Sequence, residues 1–214
     1  MSPHVAIVDY GIGNLFSVQR SFEEAGAQVL VTSDKDEILD APRLVLPGVG
    51  AFANGMKGLR DKGLDKVIIS FIETGRPFLG ICLGMQMLAS RSEEFGTHEG
   101  LGVIPGVVKA IPSCSPEGDR HKIPHIGWTS IFNPGHKGRW KGTILQDTTE
   151  SDAVYLVHSF AMYPEEDSHR LADCDYNGVS ISAAVSVDNV YGTQFHPEKS
   201  GEVGLTMIRT FLSI

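Results

Sequence analysis

Positive charge is in short supply in this chain. Its 18 Lys and Arg stand against 26 Asp and Glu, a formal net charge of −8. A chain of that sign lacks the field that draws in nucleic-acid phosphates, and it has no polybasic patch for a membrane surface. Cysteine is scarce as well. Cys82, Cys114 and Cys174 are odd in number, widely spaced and free of any C-x-x-C pattern. They predict neither a disulfide framework nor a zinc site, and they fit a reducing, cytoplasmic setting. No metal and no cofactor are expected. Nowhere do about 18 apolar residues run together, so no membrane-spanning helix is expected. The first residues show no basic segment followed by a long apolar one, so no secretory signal is expected either.

What is present is globular. The 214 residues are 42% hydrophobic and 21% charged, enough for one domain over 1–214 with a sizeable core. Residues 4–10 read as a buried strand because Val5, Ala6, Ile7 and Val8 are apolar in succession, a pattern of parallel strands covered on both faces. A helix follows, with Leu15, Val18, Phe22 and Ala25 on one stripe and Gly26 as its stop. Strands at 28–31, 43–46 and 77–82, helix over 52–74 with a break near Gly63, and helix from 85–89 complete an alternating first half. That alternation predicts an open α/β sheet, mostly parallel and flanked by helices. Strand-like runs at 102–111, 155–162, 178–187 and 190–195, with turn signals at Asn177-Gly178 and Asp188-Asn189, predict antiparallel strands added in the C-terminal half. Ser200 stands where it can cap a last helix carrying Leu205, Ile208 and Leu212. Residues 112–122 and 133–142 read as loops.

The most informative segment is Gly80-Ile81-Cys82-Leu83-Gly84. A free cysteine is ordinarily a buried structural residue. Glycine on both sides of it, at the end of an apolar strand, serves no packing need but does permit a sharp strand-to-helix bend. This is the thiol form of a nucleophile elbow. It exposes Cys82 at the carboxyl edge of the sheet, where open α/β sheets bind ligands, and at a helix N-terminus that favours a thiolate. A free thiol of pKa ~8.5 is only a few per cent ionised at pH 7, so a partner that ionised it fully would gain roughly 30-fold in nucleophile. His196-Pro197-Glu198 supplies a candidate. In extended chain His196 and Glu198 face the same way, so Glu198 can hold the ring of a base that faces Cys82. An acyl transfer also needs oxyanion donors. The Leu83 N–H is one, and Val49 or Gly50 in the Pro47-Gly48-Val49-Gly50 turn is the other.

These residues resemble the class I (triad) glutamine amidotransferases. The segments Asp9-Tyr10-Gly11-Ile12-Gly13-Asn14, Pro124-His125-Ile126-Gly127-Trp128, His158-Ser159-Phe160 and His196-Pro197-Glu198-Lys199-Ser200 are similar in their order to the glutaminase subunits of imidazole glycerol phosphate synthases, over essentially the whole chain. The resemblance implies that Cys82 attacks the glutamine amide, that His196 protonates the departing ammonia, and that water hydrolyses a γ-glutamyl thioester. It implies Gln86 and Glu94 as glutamine-binding residues, Ser159 and its neighbours as the strip for the α-carboxylate, and Asn14, Trp128 and Lys199 as contacts to a partner. That partner is a (β/α)8-barrel cyclase of histidine biosynthesis, which forms a heterodimer with this subunit and receives ammonia through a tunnel. The chain departs from the pattern at Thr129, where Asn is frequent, and at Ile126, where Met is common. Its two loops are also longer. A glutaminase serving another synthase (anthranilate, GMP, pyridoxal phosphate or a surface sugar) and a stand-alone thiol hydrolase remain the alternatives on the same scaffold.

Overall fold

The computed structural model describes residues 5–135 and 140–214. Residues 1–4, which include the expected start of the first strand and the region read for a signal, and 136–139 within the second expected loop lie outside the described residues. In the first half the chain runs β1 (Val5–Val8), α1 (Leu15–Glu24), β2 (Val29–Thr32), α2 (Lys35–Asp40), β3 (Leu44–Gly48), α3 (Phe52–Asp61), α4 (Leu64–Glu73) and β4 (Phe78–Cys82). A one-turn helix α5 (Leu83–Gln86) leads to β5 (Ala89–Ser92), β6 (His98–Glu99), β7 (Ile104–Ala110), β8 (His125–Phe132), β9 (Ala153–His158) and β10 (Phe160–Pro164). Then come β11 (Arg170–Tyr176), β12 (Val179–Val187), β13 (Val190–Thr193), a 3-10 turn at Pro197–Lys199 and α6 (Gly201–Ser213).

The first half follows from its sequence. Every residue of β1 is buried, yet the pleat still sorts them. Val5 and Ile7 join one core with Phe22 of α1 and Phe211 of α6. Ala6 and Val8 join the other with Ile38, Met56 and Ile68 of α2, α3 and α4. Alternate side chains of a strand point to opposite faces, so a run that is apolar throughout demands helices on both sides. Phe22 and Phe211 meet edge to face with ring centroids 6.2 Å apart, which locks α1 against α6.

The nine-stranded sheet has the order β2-β1-β3-β4-β13-β12-β11-β8-β9. Pairing is parallel from β2 to β13 and antiparallel from β13 to β9. This is the expected mixed α/β sheet. Two strands in it, β8 and β11, were not expected from the sequence. A second sheet, β10-β7-β5-β6, was not expected at all. The run at 155–162 is two strands: β9 pairs with β8 in the large sheet and β10 pairs with β7 in the small one, with Ser159 between them. The helix expected over 85–89 is the single turn α5, after which the chain enters β5 of the small sheet. No helix is long and apolar enough to cross a membrane among the described residues.

Candidate active site

Cys82 ends β4 with φ 54° and ψ −108°, outside the regions that residues with a Cβ normally adopt. Such a backbone costs roughly 1–3 kcal/mol and persists only where its surroundings fix it. The neighbouring glycines allow that fixing. A Cβ on Gly80 would lie 2.7 Å from the Gly84 carbonyl oxygen, and one on Gly84 would lie 1.8 Å from the Leu46 carbonyl oxygen. Both positions are closed to any side chain, and the bend folds flat against β3. Gly48 pairs with Cys82 in the β3–β4 ladder, so Val49 and Gly50, next in the chain, stand beside the sulfur. A Cβ on Gly48 would meet the Tyr10 hydroxyl at 2.6 Å and Leu83 Cβ at 2.9 Å. The single turn of α5 carries little of the dipole that a longer helix would offer a thiolate.

His196 lies three residues beyond β13 and is 3% exposed. Its N–H donates to the Tyr155 carbonyl at 3.0 Å. The Ser200 hydroxyl donates to the His196 carbonyl at 2.7 Å and accepts from the Tyr155 N–H at 3.0 Å. Ser200 does precede α6, but its side chain makes no cap bond. It ties the His196 loop to β9 instead. Nδ1 of His196 is 2.8 Å from Glu198 Oε1, as the sequence suggested but by another route. Residues 197–199 form a 3-10 turn, which curls Glu198 back under the ring. The ring faces the same cavity as Cys82. Burial opposes charge on this imidazole, but the interactions with Cys82 and Glu198 outweigh it and raise its pKa to about 9. An imidazolium therefore sits beside the sulfur at neutral pH.

One cavity of about 340 Å³ brings together Val49, Gly50, Cys82, Leu83, Gln86, Glu94, Ser159 and His196. Glu198 stands behind His196, its side chain 1% exposed. The Gln86 amide donates to the Phe160 carbonyl and to Gln194 Oε1, both at 3.0 Å. Glu94 is buried, and its Oε2 accepts the Phe52 N–H at 2.6 Å, so a residue distant in sequence caps α3, whose own Ala51 makes no side-chain cap bond. Several residues here were not singled out from the sequence. His158, Pro124, Val157 and Phe160 also line the cavity. Gln194 donates to Cys82 Sγ at 3.7 Å. Tyr10 is buried under Gly48, and its pKa is raised by burial and then by the charge of Cys82. His158 stands within a quoted motif, but a polar residue inside an apolar strand carries no sign of which way it faces. Among the described residues no group of three His, Cys, Asp or Glu side chains is placed to hold a metal.

The sequence model for glutamine amidotransferase class-I matches residues 6–213. The chain belongs to the class-I glutamine amidotransferase family. Among similar proteins, the imidazole glycerol phosphate synthase subunit HisH 1 of Legionella pneumophila (strain Lens) is 52% identical over 98% of this chain and 99% of its own length. HisH of Geobacter sulfurreducens is 44% identical over 97% of each, and HisH of Geobacillus thermodenitrificans is 42% identical over 98% of this chain and 95% of its own. In fold, this amidotransferase is similar to a chain of PurLQS from Thermotoga maritima (TM-score 0.75, 21% identity, covering 100% of this chain and 99% of that one). A further crystal structure of a glutamine amidotransferase matches with a TM-score of 0.72 at 14% identity over 98% and 99% of the two chains.

The amidotransferase leaves apolar side chains of β8 uncovered. Trp128 is 57% exposed and Ile126 54%, both on the outward side of β8. Trp128 packs edge-on against Tyr155, and its ring tip reaches Gly201, two residues past the exposed Lys199. α1 packs on the 3-10 turn that carries Lys199. At the head of α1, exposed Asn14 accepts from the Ser17 N–H at 3.4 Å, a helix cap in its own right.

Proposed function

We propose that this chain is the glutaminase subunit of an imidazole glycerol phosphate synthase, releasing ammonia from glutamine for a (β/α)8-barrel cyclase in histidine biosynthesis. The observation that carries the reading is the meeting of Cys82 with the Glu198-held His196 in a cavity shared with Gln86, Glu94 and Ser159. Cys82 is the nucleophile. His196, oriented by Glu198, holds the proton that goes to the departing ammonia, leaving a γ-glutamyl thioester that water cleaves. The Leu83 N–H, with Val49 or Gly50, faces the developing oxyanion. Gln86, Glu94 and the Ser159 strip receive the amino-acid end. Asn14, Trp128 and Lys199 meet the cyclase, and ammonia reaches it through a tunnel in a heterodimer. The high identity to HisH proteins over nearly whole chains supports this subunit over other glutaminases. The exposed Trp128 and Ile126 support a partner over a stand-alone hydrolase, since exposed aromatic patches mark interfaces.

The test is a coupled assay. The purified chain, given glutamine, is expected to release glutamate slowly alone and much faster with the cyclase and its nucleotide ligand. Equal rates with and without the partner would overturn the reading.

A further inference from the structure

Two buried histidines, His158 in the cavity wall and His125 behind it, have no part in the chemistry above. His158 ends β9, and His125, its register partner, opens β8. They are 6% and 2% exposed. Their contacts assign a proton to each ring. His158 Nδ1 is 2.9 Å from the Phe160 carbonyl, which only accepts, so Nδ1 carries the hydrogen. In a neutral ring Nε2 is then an acceptor. That Nε2 lies 3.2 Å from His125 Nδ1, which must donate. His125 Nε2, now an acceptor in its turn, is 2.9 Å from the Thr129 hydroxyl. The three bonds run in one direction, from Thr129 through His125 and His158 to the Phe160 carbonyl. Tyr176 stacks on His125 with centroids 3.9 Å apart and planes at 20°, which fixes the tilt of that ring.

The chain of bonds ends at a consequential atom. The Phe160 carbonyl also accepts from Gln86, whose amide reaches Gln194, which donates to Cys82 Sγ. We propose that Thr129, His125 and His158 are positioning residues of the glutaminase: a neutral, one-way relay of hydrogen bonds that fixes the Phe160 carbonyl and, through it, Gln86 and Gln194 against Cys82. Neutrality has a physical source. Burial pushes the His158 pKa down to about 4 against a raising hydrogen bond to Phe160, and the positive charge of His196 pushes the same way. His125 is lowered by burial and by His121. A second cation in this wall would also disfavour the imidazolium that His196 carries. The inference rests on the glutaminase reading for its role, but not for its geometry.

The test reads both. Nitrogen-15 spectra of the histidine rings at pH 7 are expected to show His125 and His158 neutral, each with its hydrogen on Nδ1, assigned by their loss in H125N and H158N. Either ring found doubly protonated, or with its hydrogen on Nε2, overturns the relay. In turnover, His125→Leu removes the donor to His158, while His125→Asn keeps an N–H near the place of Nδ1. His125→Leu is expected to raise the glutamine KM about tenfold, the order of a buried acceptor losing its donor, with kcat per Cys82 thiol changed far less. His125→Asn should recover most of that loss. Equal KM in wild type, H125L and H125N overturns the positioning role. The spectra need no turnover, so the expected tautomers in a protein without glutaminase activity would sink the functional reading alone.

Discussion

The two walls of the cavity are held by different means. The wall that carries Cys82 is set by backbone. Gly80 and Gly84 admit no side chain, Gly48 is pressed between Tyr10 and Leu83, and β3 and β4 run in parallel register up to the bend. The wall that carries His196 and the β9–β10 junction is set by side chains: Ser200 on Tyr155 and His196, Glu198 on the His196 ring, and His158 on Phe160. A backbone-set wall has almost no tolerance for substitution. A wall held by side-chain bonds loses its order in steps, one partner at a time.

That contrast is open to test, beginning with the harshest change. Gly84→Ala forces a Cβ into the Leu46 carbonyl and should cost about 4 kcal/mol or more, read as a collapse of the denaturation midpoint. A G84A protein of wild-type stability would show that the bend has slack. Cys82→Ser and His196→Ala should each remove roughly 10⁴-fold or more of kcat with the fold intact. Glu198→Gln, which still offers an acceptor to Nδ1, should leave a measurable remainder. An E198Q enzyme as dead as H196A would place Glu198 in the chemistry itself. On the side-chain wall, Ser200→Ala removes one donor and one acceptor at once and should cost about 1–3 kcal/mol by chemical denaturation. Asn14→Ala, at an exposed cap made through a long bond, should cost about 0.5 kcal/mol.

The same wall predicts a pH optimum of stability. The His196 pKa is raised from 6.5 to about 9, so its stabilisation is complete below pH 6.5 and is lost as pH climbs through 9. The His158 pKa is lowered to about 4. The unfolded chain then takes up that proton first, and stability falls as pH drops from 6.5 through 4. Melting temperature should peak near pH 6.5. H196A should flatten the alkaline side and H158N the acid side. An unchanged alkaline limb in H196A would place the raised pKa elsewhere.

Local signals carried the elbow, the His196-Pro197-Glu198 segment and β1 to β4 straight from the sequence, because each is a short pattern whose meaning does not depend on distant residues. The missed strands failed for the opposite reason. β11 reads as polar because it holds Asp173, yet Asp173 is buried and paired with Arg170 and Ser180. β8 turns His125 and Thr129 inward to each other, which hides its alternation. α2 was not expected either: the Asp34 carboxylate accepts from the Asp36 and Glu37 N–H groups, but six residues are too few to show a stripe. At His158-Ser159 two polar residues interrupt the apolar run, but so short a break does not tell that the strands on its two sides join different sheets.

That change has a mechanical consequence. Ser159 is a seam: the strand before it is stitched into one sheet and the strand after it into another. It also lines the cavity, so a shift of the small sheet past the large one would act on the cleft at this residue. The interior of either layer need not move. Trp128 pairs with Tyr155 in the β8–β9 ladder, four residues from that seam.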